Sequence, residues 1–261
     1  MASHSIICYP QPSKAKSSAV LAAFAAGCGA NVHLSGPNSL APAPSAAAFY
    51  GVVGIEHLLN LARAEAREWY YGDNSYFDSG RGKYYRFTKN AFQAVKPFAE
   101  ADFDRLKALG VEIKPWRTEG SHIVIVEQSA HFHDISFAEP HWASKVITEL
   151  RKHTDRPLKV RYWRRDKDKA SAALRNDLMG AWALVTHMSA AANEALAAGV
   201  PVFVSGQCAA APLASGELAG IESAKTPDGR ELWAARLSAS QWTLEEMRNG
   251  KAWSVLNANS R

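Results

Sequence analysis

The residues best suited to chemistry lie in one stretch, 183–205, ALVTHMSAAANEALAAGVPVFVS. Its apolar opening reads as a strand ending at Thr186-His187, and a turn then delivers Ser189 to the start of a helix. Glu194 falls in the first turns of that helix, and Gly199-Val200-Pro201 turns tightly into a further strand. A helix start presents unpaired N–H groups and a partial positive charge, which suit a diphosphate. A carboxylate one turn further in accepts hydrogen bonds from the two hydroxyls of a ribose. His187 and Ser189 then stand within reach of phosphate or sugar, and the turn Ser205-Gly206-Gln207 borders the same crevice if the sheet is parallel. Arg164 and Arg165 follow a strand expected over 158–163, where an arginine neutralises a leaving diphosphate. The competing reading of those arginines is a solvated face shared with Asp166 and Asp168.

A second cluster spans 69–87, WYYGDNSYFDSGRGKYYRF. Glycines at 72, 80 and 82 argue for an irregular loop, and aromatic, acidic and basic residues crowd together in it. Asp73 or Asp78 is the candidate general base that deprotonates an acceptor hydroxyl. Tyr76 and its neighbours can stack on a flat acceptor, and Arg81, Lys83, Arg86 and Lys89 can contact phosphates. The competing reading is an ordered loop whose aromatics pack on the core.

Other constellations point elsewhere or are missing. No GxGxxG, GxxxxGK[ST], GxSxG or HExxH is present, which lowers dinucleotide-oxidoreductase, P-loop, serine-hydrolase and zinc-protease readings. His131 and His133, with Asp134 and His141 nearby, offer two rings to a metal only if that segment is a strand. We read them as polar loop residues and expect no metal. Cys8, Cys28 and Cys208 are an odd number without a CxxC, so neither a disulfide framework nor a zinc site is expected.

The elements that must position these groups alternate in kind. Strands are expected over 5–9, 31–34 and 46–51, with a helix over 17–27 capped by Ser17 or Ser18 and a helix over 55–69. The second half repeats the pattern with strands over 122–126, 158–163, 183–186 and 201–205, separated by helices over 140–153, 170–179 and 190–198. Such alternation implies an α/β fold with mostly parallel sheets that bind ligands beyond their strands' carboxyl ends. We expect two Rossmann-like lobes with a cleft between them, one at 1–115 that carries the 69–87 cluster and one at 116–238 that carries the 183–205 stretch. A helical tail at 239–261 would pack back on the first lobe, with Thr243 and Glu246 forming a capping box.

The pattern Ser-x4-Glu-Ala-x3-Gly-Val-Pro-Val at 189–202 resembles the nucleotide-sugar motif of GT-B glycosyltransferases, including the peptidoglycan N-acetylglucosaminyltransferase and sugar-nucleotide epimerase group. That resemblance implies a donor, a UDP-sugar first of all, whose ribose is held by Glu194 and whose diphosphate is approached by Ser189 and His187. It implies that no metal or further cofactor is required. A small glycosyltransferase with a basic, aromatic face also resembles phage enzymes that glycosylate hydroxymethylated pyrimidines in DNA. Double-stranded DNA is therefore the first acceptor to consider, a surface polysaccharide or lipid-linked sugar the second. A non-catalytic nucleotide- or nucleic-acid-binding protein is the reading from another class.

Composition fits this picture. The chain has 261 residues, 47% hydrophobic and 21% charged, which excludes disordered, collagen-like and coiled-coil chains. Its net charge of +5 is uneven: residues 151–176 hold ten basic and three acidic side chains, and 81–96 hold five basic and none acidic. Such clusters favour anionic partners. No apolar run approaches the ~20 residues that span a bilayer, and the first ten residues do not read as a signal peptide, so a cytoplasmic enzyme without membrane insertion is expected.

Overall fold

The computed structural model describes residues 5–32, 40–77, 82–95, 99–136, 139–162 and 174–258. In chain order the elements are β1 (Ile6–Tyr9), α1 (Ala15–Cys28), β2 (Asn31–Val32), β3 (Ala46–Tyr50), α2 (Glu56–Ala64), β4 (Trp69–Asn74) and β5 (Tyr85–Lys89). They continue with α3 (Phe103–Ala108), β6 (His122–Val126), α4 (Ala130–Ser136), α5 (Trp142–Leu150) and β7 (Leu158–Arg161). After a helical stretch over 174–178 come β8 (Ala181–Thr186), α6 (Ala191–Ala197), β9 (Val202–Val204), α7 (Arg230–Ala239), α8 (Leu244–Arg248) and α9 (Lys251–Ala258). Two compact units result: Met1–Gln93 with Ala239–Arg261, and Ala94–Ser238. Among the described residues, no helix is long and apolar enough to cross a membrane.

The first unit is built on a five-stranded sheet in the order β2-β1-β3-β4-β5. The first four strands are parallel, and β5 runs antiparallel to β4. Every residue of β3 is buried, as expected for a strand covered on both faces. The helix α1 starts earlier than the serines suggest. Its cap position is Lys14, and Ser17 is instead a buried link that accepts from the Gln11 amide and donates to the Tyr50 carbonyl. Gly29 ends α1 in the left-handed region, its N–H bonded to Ala25 O. The helix α2 stops at Ala64 and does not reach Trp69, because Ala66 turns left-handed (φ 50°) and the chain enters β4.

The expected loop over 69–87 is largely sheet. Residues 69–74 and 85–89 pair as β4 and β5, with Trp69, Tyr70, Tyr71, Tyr85 and Phe87 in the core. Gly72 marks close packing here, since a Cβ would lie 2.6 Å from the Phe87 ring. Phe87 stacks on Phe24 of α1 at 4.2 Å. The last residues complete this unit: the backbone of Trp242 pairs with that of Tyr85, and Gln241 Oε1 accepts from the amides of Tyr76 and Phe77. The expected capping box forms at the start of α8, Thr243 with Glu246.

The second unit carries a four-stranded, wholly parallel sheet in the order β7-β6-β8-β9. One face buries Ile123, Ile125, Ala183, Val185 and Phe203 against Trp142, Val146 and Leu150 of α5 and against Ile221. Gly199 permits the turn before β9. Its φ is 75°, and a Cβ there would lie 2.0 Å from Pro115 O. Residues 130–136, expected as loop, form α4, started by Ser129, whose Oγ accepts from the Phe132 amide. The described part of the helix expected over 170–179 is 174–178.

Candidate functional site

Sheet geometry chooses the site residues in the second unit. Side chains alternate across a strand, and the parallel register aligns Val126 with Thr186 and Thr186 with Val204. One residue further, Glu127, His187 and Ser205 therefore leave three neighbouring strand ends on one face of the sheet, the face covered by α5. The helix α5 brings Trp142 to the same place, and α4 brings His133.

These side chains form two hydrogen-bonded groups, Glu127–His133 and His187–Ser205–Trp142, whose histidine rings face each other. Glu127 is paired through Oε1 with His133 Nε2, and the same oxygen accepts from the Gln128 amide at 3.0 Å. Its Oε2 accepts from the Ala143 amide at 3.2 Å, so the carboxylate sits at the start of α5, where the helix dipole favours a negative charge. His133 and His187 lie with ring centroids 6.5 Å apart and 28° between their planes. His187 Nδ1 meets Ser205 Oγ at 2.9 Å, and Trp142 Nε1 donates to the same oxygen at 2.8 Å. The His133 Nδ1 atom is buried and has no hydrogen-bond partner among the described residues. Burial pushes the His187 pKa below the ordinary histidine value, helped by His133 and opposed by Glu127. The neutral form of His187 is thus favoured, and the ring is half-buried among polar groups.

The turn after β9 is shaped around that ring. A Cβ on Gly206 would lie 2.7 Å from His187 Cε1 and 2.8 Å from Nε2, and the Gly206 amide donates to His187 O at 2.9 Å. Gln207 lies next to it in the turn. Ser189 serves its own turn: its amide donates to Thr186 Oγ1, its Oγ accepts from the Ala191 amide, and its carbonyl receives the Cys208 thiol.

Glu194 has different company. Register places Arg161 in line with Val126 and Thr186, on the face opposite α5. Arg161 pairs with Asp177 there, and Arg161 and Arg175 are the cations that act on Glu194. Burial raises the Glu194 pKa above the ordinary carboxylate range, and the two arginines only partly counter it. Glu194 and His187 thus belong to opposite faces of the sheet at its carboxyl end. Next to Glu194, Asn193 is wholly buried, with neither amide atom bonded among the described residues.

In the first unit, the candidate acceptor residues are distributed between core and surface. Arg86 is buried, donates to Asn74 O and pairs with Asp73 at 3.1 Å, its guanidinium lying 5.0 Å from the Tyr76 ring centroid. Tyr76 is 2% exposed, so neither it nor Arg86 presents a face to a ligand. Asp73 also accepts from the Asn74 amide and is committed to local structure. Lys89 pairs with Glu68 at 2.5 Å, and Lys83 lies over the Tyr84 ring. Asp78, Arg81, Arg164 and Arg165 lie outside the described residues.

Sequence reading names His187, Ser205 and Gly206 but passes over Glu127 and Trp142, and it leaves His133 in a polar loop. The available signal is alternation: 123, 125 and 127 share a face, as do 183, 185 and 187.

No protein-family model matches the chain, and no curated protein sequence matches it. Solved structures do. The Thermosulfurimonas dismutans KpsC β-Kdo 2,4 transferase superposes with a TM-score of 0.52 at 12% identity, covering 89% of this chain and 90% of that one. The β-Kdo 2,7 transferase of the same organism's KpsC gives 0.52 at 11% identity, covering 98% of this chain and all of the other. The chain therefore has the α/β, GT-B-like fold of these transferases, with two largely parallel sheets.

Proposed function

We propose that this protein is a glycosyltransferase that moves a sugar from a nucleotide-activated donor to a hydroxyl of a surface polysaccharide. The observation that carries the proposal is the pair of hydrogen-bonded groups Glu127–His133 and His187–Ser205–Trp142, gathered at the carboxyl ends of β6, β8 and β9. Parallel α/β sheets hold ligands at that end. Donor phosphates meet His187, Ser205 and the Gly206-Gln207 turn, which packs closely against the ring because residue 206 has no side chain. Glu194, on the opposite face, is the group offered to the donor ribose, with Arg161 and Arg175 near its carboxylate. Ser189, Arg164 and Arg165 remain donor-side candidates.

Two considerations favour a sugar acceptor over a DNA base. Both structural neighbours are named for the sugar they move, Kdo, and the linkage they make. The aromatic and basic groups that suggest nucleic acid include Tyr76 and Arg86, which the core holds. A nucleotide-activated Kdo joins UDP-sugars as the donor to test. Asp78, Lys83 and Arg81 are the acceptor-side residues to vary.

A thermal-shift panel of nucleotides and nucleotide sugars tests donor binding. Ligand at a hundred times its Kd stabilises by about 2.7 kcal/mol. Radiolabel from the binding donor is then offered to acidic oligosaccharides and to hydroxymethylpyrimidine DNA. We expect label in the oligosaccharide. Label in DNA alone would replace the acceptor, and no stabilisation by any nucleotide would remove the donor site.

A further inference from the structure

We propose that His133 and His187 act as a single phosphate-binding pair that takes up one proton when the donor phosphate arrives, with Glu127 as its fixed countercharge. The inference rests on the donor reading above and states how that site holds its ligand.

The geometry gives each ring one tethered nitrogen. His133 Nε2 is held by Glu127, and His187 Nδ1 by Ser205. Ser205 can serve both protonation states of His187. Its oxygen already accepts from Trp142 Nε1, so its single proton is free to go to a bare Nδ1. When His187 is protonated, Nδ1–H donates to the serine oxygen and the hydroxyl proton turns away to another acceptor. The second nitrogen of His133, Nδ1, is buried without a partner among the described residues, a costly state for either a lone pair or an N–H. A proton placed there becomes a donor that needs an anionic oxygen.

Among the described residues, Glu127 and the two rings themselves are the titratable groups that bear on the pair. Glu127, from the end of β6, acts on both rings, and each ring acts on the other. Without ligand, burial and the neighbouring ring oppose a charge on His187. An incoming phosphate carries the opposite charge and reverses that balance. The Glu127 carboxylate, bonded to His133 and to two backbone amides, stands beside the pair, so a positive charge there becomes tolerable once phosphate is present.

The test uses the full chain, and the unmodified protein alone decides it. UDP, CMP and pyrophosphate are titrated calorimetrically at pH 7.5 in two buffers of different ionisation enthalpy. We expect uptake of about 0.5–1 proton per ligand bound, and affinity falling by up to about tenfold per pH unit above pH 7. In His187→Asn the uptake disappears and affinity falls at least about tenfold. Glu127→Gln, which keeps acceptor and donor capacity but removes the charge, reduces the uptake. Binding with no proton uptake in the unmodified protein overturns the pair and leaves the donor site standing. Failure of every nucleotide and nucleotide sugar to bind overturns both.

Discussion

Alanine at 206 is the sharpest perturbation of the proposed site that leaves every polar group in place. The added Cβ would stand 2.7 Å from His187 Cε1, 2.8 Å from Nε2 and 3.0 Å from Nδ1, where ordinary contact begins at 3.4 Å. The ring must withdraw by roughly 0.7 Å, the difference between 3.4 and 2.7 Å. It is a side chain and can move, but it is pinned by Ser205 at 2.9 Å and by the Trp142 edge. Losing the serine bond costs about 0.5–1.5 kcal/mol, and forcing the ring off its rotamer costs about as much again. The expected loss is therefore about 1–3 kcal/mol, or roughly 2–4 °C in Tm for each kcal/mol at this chain size. Donor affinity should fall about tenfold or more, because the ring no longer stands against its partner. Thermal unfolding and nucleotide titration measure the two effects separately. Gly220→Ala, whose Cβ meets nothing within 4 Å, is the matched control. A Gly206→Ala protein that melts lower yet binds nucleotide as tightly as the parent would refute the placement of phosphate beside His187.

Four further outcomes follow from the same geometry. The folded-state pKa of Glu194 is raised, so the stability linked to its protonated form is full below the ordinary carboxylate value and is lost as pH rises through the folded one. Glu194→Gln should then gain more Tm at pH 8 than at pH 5 while weakening donor binding, and scanning calorimetry at the two pH values checks the sign. Asn193→Leu removes two unbonded buried amide atoms and should stabilise by about 1–3 kcal/mol in urea unfolding. Asp73→Ala leaves the buried Arg86 guanidinium without its carboxylate, and since Asp73 is itself about a third exposed, we expect a loss of about 2 kcal/mol, under the full buried-pair penalty, with donor affinity unchanged. Gly199→Ala must place a Cβ 2.0 Å from Pro115 O at φ 75°, and should cost more than about 2 kcal/mol in denaturant unfolding.

Strand positions were largely legible because the signal is local. HIVIV at 122–126 and AAAFY at 46–50 are buried on both faces, and their apolar runs say so without help from distant residues. The stretch 69–87 misleads because its charges argue against a core. Arg86 is buried all the same, since Asp73 sits opposite it across the β4–β5 pair, and only the register reveals that partner. Glu127 is hidden for a related reason. In sequence it is one acid after a strand, and its value comes from an α5 amide 16 positions later and an α4 ring six positions later. Glu194 is legible as a helix-start acid, but its separation from His187 requires knowing that Arg161 aligns with Val126.

The first unit is assembled from the two ends of the described chain, with Ala94–Ser238 inserted between them. Gln241 and Trp242, which close the β4–β5 region, follow the whole insertion. On a ribosome, the second unit has therefore left the exit before the first can finish its sheet. Until then, the Tyr85 backbone groups that Trp242 later occupies stand as an unfilled edge, and a nascent chain stalled before residue 241 would expose it to aggregation or to a chaperone.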